Sequence, residues 1–272
     1  MARRRIVAPG PKPITLNPVR PNEGLGAAYR RKLLAKIDEM NASLEYWLLS
    51  AYRNNTPAMA QDATPAAELQ RAFKRLGERW QRQFDYMAPK LGAWFAESAA
   101  ERSDSSMRAI LKDAGWTVEL RMTPEVRDIV RAVTVENVGL IKSIASQHLT
   151  QIEGIVMRAT TTGRDMGTLA KELQAQFGVS KRRAAFISRD QLSKSTAAVT
   201  RARQVECGIT KARWIHSSAG RHPRKSHQDF SGKEYDVAKG AYLDGEWVWP
   251  GTAINCRCVC AAILPALQSK RA

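Results

Sequence analysis

The residues that could carry chemistry are concentrated near the C-terminal end of the 272-residue chain. Cys256, Cys258 and Cys260 stand two residues apart, and His222 and His227 precede them across a Trp-rich stretch. Two thiolates and two imidazoles can build a tetrahedral zinc site, so one candidate ligand set is Cys256, Cys258, His222 and His227. Standard structural zinc sites, however, place about two to four residues between paired cysteines, and this C-x-C pair is tighter.

A packing role for the same residues is the other interpretation. In a strand, the three cysteines would share one face, where small thiols pack closely against the nearby tryptophans, Trp214, Trp247 and Trp249. The imidazole of His227 would then fix a rigid turn through hydrogen bonds. We therefore expect a structural cluster with no bound cofactor, and we keep zinc as the alternative.

Catalytic motifs do not accompany this cluster. His227 and Asp229 could act as an acid and a base. The chain nevertheless lacks H-E-x-x-H, G-x-S-x-G and the phosphate-binding G-x-x-x-x-G-K-[ST]. A Cys–His nucleophilic pair has no recognisable neighbourhood either. The sequence thus favours a protein that is not an enzyme.

The charge of the chain is strongly positive. The 43 Lys and Arg residues exceed the 26 Asp and Glu residues and leave a net charge of +17. Such an excess predicts non-specific binding to double-stranded DNA, weakened by salt, although a solvated basic surface is the plainer explanation. The candidate phosphate contacts are Arg3, Arg4, Arg5, Lys12, Lys181, Arg182 and Arg183.

A membrane partner is not expected from the sequence. No stretch combines a basic face with a strong apolar face, and no window has the length of a transmembrane helix. The N-terminal arginines are followed by prolines and not by the apolar run of a signal peptide. We therefore expect the chain to be made in a cytosol-like space, where its cysteines stay unpaired by disulfides.

Hydrophobic periodicity divides the chain into a long helical part and a short C-terminal part. Apolar residues recur at helical spacing from Gly24 to about Gly208. Within that part we expect new helices to begin at Pro89, at Thr123–Pro124 and at Ser180, and a strand over residues 116–122. After Gly208 the pattern changes to short strands and turns. The fold class is therefore mainly α with a small α+β C-terminal module, built from long amphipathic helices and few short strands.

The C-terminal stretch also contains an ordered motif. The pattern W-(x)n-R-x-x-H-(x)n-G, a Pro-containing turn and N-C-R-C falls on Trp214, Arg224, His227, Gly232, Pro250, Asn255, Cys256, Arg257 and Cys258. This pattern resembles the hallmark of the Mu F-like head morphogenesis domain of tailed bacteriophages, found in minor capsid proteins. A helical lead-in, S-x-x-R-A-x-x-I-x-R-D-Q, lies at residues 180–191. One departure is the basic SAGRHPRKS, where family members often carry an aspartate.

The resemblance covers roughly residues 123–264 and suggests a division of the chain. We expect a basic, Pro-rich arm that orders only on a partner, a helical N-terminal region, the helical part of the Mu F-like domain, its Cys/His/Trp-rich module and a tail. These span residues 1–21, 22–122, 123–208, 209–264 and 265–272.

The resemblance implies a structural virion component, assembled in the host cytoplasm and placed in the capsid interior or at the portal vertex. Its expected partners are the portal protein, the capsid protein and packaged DNA, and its expected task is head assembly or genome delivery. An alternative is a nucleic-acid-binding protein or effector enzyme that is delivered with the virion or acts during assembly. Residues 22–121, where an effector would have to lie, are plain amphipathic helices by pattern.

Overall fold

A computed structural model describes residues 13–54, 63–162, 166–218, 220 and 222–264 of the chain. In these ranges the backbone forms five helices and six short strands. The helices are α1 (Glu23–Asn54), α2 (Ala63–Asp113), α3 (Pro124–Thr162), α4 (Met166–Glu206) and α5 (Lys225–Asp229). The strands are β1 (Ile14–Thr15), β2 (Lys211–Ile215), β3 (Glu234–Asp236), β4 (Ala241–Leu243), β5 (Glu246–Val248) and β6 (Val259–Leu264). The expected fold class, mainly α with a small α+β module, is confirmed.

The chain divides into two compact units. The first comprises residues 1–26, 94–134 and 189–272, and the second comprises residues 27–93 and 135–188. The C-terminal residues 209–264, expected as a module of their own, thus share a unit with parts of α1, α2, α3 and α4. In the described part of the chain, none of the helices combines the length and hydrophobicity needed to cross a membrane.

The second unit is held together by buried stripes on its helices. The stripe of α1 is almost completely buried and consists of Tyr29, Leu33, Ile37, Met40, Leu44 and Leu48. The hydroxyl of Tyr29 donates to the side-chain oxygen of Asn137 on α3 at 2.9 Å, which satisfies both polar groups inside the core. The helical periodicity that begins at Gly24 is therefore confirmed for α1, whose apolar face lies in the core.

Two helices continue through positions where the sequence predicted a new start. Pro89 lies inside α2, although an interior proline costs about 3 kcal/mol by removing a hydrogen bond and crowding the preceding turn. The buried side chains of Phe84, Ala88 and Leu91 flank it and offset that cost. Ser180 lies inside α4, and its hydroxyl bonds Nδ1 of His148 at 2.7 Å instead of capping a helix. Both predicted starts are wrong because tertiary packing outweighs the local signal.

The buried imidazole of His148 should make stability depend on pH. Burial lowers the pKa of His148 from 6.5 to about 4. The folded state therefore keeps the ring neutral, whereas the unfolded chain takes up a proton below pH 6.5. Stability is fully present above that pH and is lost as the pH falls toward 4, by up to about 3 kcal/mol. Urea unfolding at several pH values measures this loss. It should shrink in His148→Asn and persist in the exposed control His222→Asn.

The first unit contains a four-stranded antiparallel sheet in the order β1-β6-β2-β3. Strand β6 is paired on both sides, and its register places Cys260 opposite Trp214 and Ala262 opposite Ala212. Strands β4 and β5 form a separate hairpin. Its turn, Asp244–Gly245, has φ values of 53° and 87°, the left-handed geometry that two-residue hairpin turns favour. This sheet carries the residues of the candidate site.

Residues 13–21 are part of this fold and not of a free arm. Strand β1 pairs with the end of β6, and the amide of Leu16 donates to the carbonyl of Ala262 at 2.8 Å. The side chains of Leu16 and Val19 are buried in the same core. The expectation of an arm that orders only on a partner is therefore wrong for this stretch, since its apolar residues have a core to enter.

The strand expected over residues 116–122 does not form. The backbone there belongs to no ladder, yet Trp116 is buried in the core of the first unit and Val118 and Leu120 pack against it. The alternating pattern thus reflects one-sided packing of an extended segment. Alternation of apolar and polar residues occurs both in such a segment and in a hydrogen-bonded strand, so the pattern alone does not distinguish them.

Candidate functional site

A buried cluster of one imidazole and two thiols lies at the edge of the sheet. Nδ1 of His227 is 3.5 Å from Sγ of Cys256 and 3.7 Å from Sγ of Cys258. The three atoms all lie within 4.8 Å of one another, and each side chain is at most 5% exposed. The structure therefore brings together three of the four candidate zinc ligands. The fourth, His222, is exposed and outside the cluster.

The two clustered cysteines precede β6 and are not part of it. The strand begins at Val259, so only Cys260 of the three cysteines is on a strand, and its sulfur lies 3.3 Å from Nε2 of Gln204. The expectation that all three share one strand face is therefore wrong. The turn runs up to Asn255, which has a left-handed φ of 58°, and pairing of β6 with β2 begins only at Val259.

Helix α4 holds this turn in place. The backbone N–H of Asn255 donates to Oδ1 of the buried Asp190, and Nη2 of Arg189 donates to the Asn255 side-chain oxygen at 3.4 Å. Lys194 balances the charge of Asp190 at 3.2 Å. The R-D-Q segment of α4 and the N-C-R-C segment thus contact each other, although about 65 residues separate them in the chain.

The short helix α5 presents His227 to the cysteines and is fixed at two points. Nη2 of Arg224, at its start, donates to the carbonyl of Ile254 at 3.1 Å. The hydroxyl of Ser226 donates to the carboxylate of Asp244 in the β4–β5 turn at 2.6 Å. Arg224 and His227, which are three residues apart, therefore both contact the N-C-R-C turn.

The indole of Trp214 packs against the imidazole of His227. Its ring is fully buried, and the centroid of the His227 ring lies 4.9 Å away, edge to face. The rings of Phe230 and Tyr235 contact the same indole from other sides. The chain returns to Trp214 through Gly232, which has a φ of 83° and donates its N–H to the Trp214 carbonyl at 2.8 Å.

The residues of the sequence motif therefore meet at one place, and a family comparison covers the same part of the chain. The family described as Phage Mu protein F like protein matches residues 150–261. Over these residues the chain is similar to this family. The match includes the whole of α4, β2 and α5, and the N-C-R-C turn. The resemblance inferred from the motif is confirmed.

A relative of this chain is an uncharacterized protein of Haemophilus influenzae (strain ATCC 51907 / DSM 11121 / KW20 / Rd). The two are 37% identical over 145 residues, which is 53% of this chain and 32% of that protein. The match therefore spans about a third of the length of this curated relative. No solved structure matches the chain. The Mu F-like assignment thus rests on the sequence match and on the motif contacts.

Pro250 and Gly251 close the Mu F-like site beside the cysteines, and both are buried. Gly251 has a φ of 87°, and a Cβ on it would lie 3.1 Å from both the Cβ of Ala197 and the carbonyl oxygen of Cys258. Only glycine combines that conformation with that approach. The same residue donates its backbone N–H to the sulfur of Cys256. Gly251 is therefore required by its backbone conformation and close packing, and its N–H also hydrogen-bonds the Cys256 sulfur.

The two thiols of the Mu F-like site are hydrogen-bonded to each other. The bond from the Cys258 thiol, together with the backbone N–H groups of Cys258 and Gly251, lowers the pKa of Cys256. The same thiol–thiol bond, together with burial, raises the pKa of Cys258. Negative charge in the pair is therefore favoured on the Cys256 sulfur, where a cation or hydrogen-bond donors can stabilise it.

A buried ion pair behind the Mu F-like site was missed by the sequence analysis. Arg203, near the end of α4, is 1% exposed. It bonds both carboxylate oxygens of Asp104, at 2.8 and 2.6 Å, and also contacts Glu206 and the carbonyl of Arg121. Helical position alone cannot reveal an acidic partner 99 residues away.

The predicted phosphate contacts differ in their surroundings. Lys181 forms an ion pair with Asp38 at 2.9 Å, and half-buried Arg183 donates to the hydroxyl of Ser143 at 2.9 Å. Arg182, between them, is exposed. The remaining candidates, Arg3, Arg4, Arg5 and Lys12, lie outside the described residues.

One tryptophan lies far from its expected position. Trp247 was expected to pack against the cysteines, but it is 56% exposed on β5 and contacts Tyr242 with ring centroids 5.4 Å apart. Trp249, two residues on, is half-buried and donates its indole N–H to the Val237 carbonyl at 2.9 Å. Strand alternation would place residues 247 and 249 on one face, but β5 ends at Val248, so Trp249 lies beyond the strand and Trp247 alone is left on the surface of the Mu F-like segment.

Proposed function

We propose that this chain is a minor capsid protein of a tailed bacteriophage, a structural component placed near the portal that takes part in head morphogenesis. The observation that carries the proposal is the convergence of the family motif on one closed, interlocked cluster. Trp214, Arg224, His227 and Asn255 hold one another or their neighbouring backbone. Because the histidine and the two cysteines are buried, a structural role fits them better than a catalytic one.

The portal protein or capsid protein would contact the β4–β5 hairpin. Tyr242 and Trp247 are 60% and 56% exposed and lie against each other on this hairpin. Tyrosine and tryptophan are enriched at the centres of protein interfaces, where they bury a large area with little loss of side-chain entropy. A surface pair of this kind is a suitable anchor for a partner protein in the head.

Packaged double-stranded DNA is the second proposed partner. The net charge of +17 and the exposed Arg182 support binding to phosphates without base recognition. The affinity should fall steeply between about 50 and 200 mM salt, as counterion release requires, in a filter-binding assay. A constant that does not change over this range would contradict the DNA contact.

Mass spectrometry of purified virions tests the proposed function. We expect the protein in the mature particle, and we expect Trp247→Ala to lower its copy number while its melting temperature stays unchanged. Trp47→Ala, which removes an equally exposed tryptophan from α1, is the matched control. Absence from mature particles, with the protein present only in early assembling heads, would instead favour an assembly-phase nucleic-acid-binding role.

A further inference from the structure

We propose that His227, Cys256 and Cys258 bind one zinc ion. Zinc–sulfur and zinc–nitrogen bonds of about 2.3 and 2.0–2.1 Å, at tetrahedral angles, place the sulfur and nitrogen ligands about 3.6 Å apart. The structure has Nδ1 of His227 at 3.5 and 3.7 Å from the two sulfurs. Both nitrogen–sulfur distances thus already match a zinc tetrahedron, and the two sulfurs lie within 4.8 Å of each other.

The tight C-x-C spacing does not prevent this arrangement. Cys256 and Cys258 lie in irregular backbone before β6, so strand alternation does not dictate where their sulfurs point. Cys260, which is on the strand, bonds Gln204 and stays outside the cluster. The irregular backbone after Asn255 therefore allows both sulfurs to approach one ion, which a regular strand would not.

The surroundings of the sulfurs are those of metal-bound thiolates. The backbone N–H groups of Gly251 and Cys258 bond Cys256, and that of Ser217 bonds Cys258. Such outer hydrogen bonds orient ligands and stabilise their charge. The histidine is also held from outside, because α5 is fixed through Arg224 and Ser226. A site organised before the ion enters binds it with less loss of conformational entropy.

Charge balance also favours an ion here. Binding displaces the thiol protons, and the two thiolates with a neutral imidazole then carry two negative charges, which one divalent cation neutralises. No fourth His, Cys, Asp or Glu of the described residues belongs to the group, so the fourth corner is left to water or a backbone oxygen. The ion would link α5 to the turn before β6, about 30 residues further along the chain.

The test uses the full chain, expressed with zinc and purified without chelator. We expect one zinc per chain by elemental analysis and a lower melting temperature after chelator treatment. After exchange with Co²⁺, we expect intense visible bands of a tetrahedral site and a thiolate-to-cobalt charge-transfer band. These measurements need no variant, so they do not depend on whether a substitution folds. An unmodified chain without bound zinc and without the thiolate band would overturn the proposal.

Variants then locate the ion. Cys258→Ser and His227→Asn should lose it, whereas Cys260→Ser and His222→Ala should keep it, since these controls change a thiol and an imidazole outside the cluster. Equal zinc in Cys258→Ser, or loss of zinc in a control, would refute this ligand set, as would a Cys256–Cys258 disulfide in the fresh protein. The proposed head function is tested separately by virion composition and stands whatever the zinc result.

Discussion

Replacing Arg203 by Met is expected to lower the free energy of unfolding by about 3–5 kcal/mol. The guanidinium is 1% exposed and bonds both oxygens of Asp104, which is itself only 9% exposed. Removing one member leaves a buried carboxylate without its counter-ion, and that uncompensated charge accounts for the large effect. Urea unfolding followed by circular dichroism gives the difference directly.

A surface ion pair and a double variant are the controls for this result. Arg82→Met removes an arginine that is 72% exposed and 3.9 Å from Glu78, and it should cost no more than about 1 kcal/mol. In Arg203→Met/Asp104→Leu both buried charges are gone, so part of the lost stability should return. Similar losses for Arg203→Met and Arg82→Met would show that burial of the pair is not what matters.

Trp214→Ala is expected to cost about 3–5 kcal/mol, because it opens a cavity at the centre of the first unit. The indole is fully buried among the rings of His227, Phe230 and Tyr235. Trp247→Ala deletes the same side chain from an exposed position and should stay within about 0.5 kcal/mol. Thermal unfolding and near-UV circular dichroism compare the two variants. An equal loss in both would contradict the assignment of Trp214 to the core.

Features encoded within a few turns of chain were predictable from the sequence. The apolar stripe of α1 and the helix start at Thr123–Pro124 are local patterns, and the structure has α1 at Glu23–Asn54 and α3 from Pro124. The hydroxyl of Thr123 accepts the N–H of Val126, as a capping residue does. Pro89 and Ser180 carry signals that are equally local, but there the packing of distant helices decides the outcome.

Features that depend on residues far apart were not predictable in the same way. The motif indicated that His227, Cys256 and Cys258 belong together, but not that the strand starts only at Val259. The sequence also gave no indication that Arg203 faces Asp104. The position of each of these residues depends on partners that are distant in the chain, and a single sequence does not identify such partners.

The two-residue strand β1 has a consequence for the solubility of shortened forms of the protein. It pairs with the C-terminal end of β6, whose segment VCAAIL is apolar, uncharged and free of proline, the composition of strands that self-associate when they are open. A chain shortened to begin at Glu23 would lack β1. The backbone N–H and C=O groups at the C-terminal end of β6 would then lose the partners that β1 supplies. In the shortened chain, β6 would be open to pairing with a strand of a second molecule. The residues that form β1 are therefore expected to reduce aggregation.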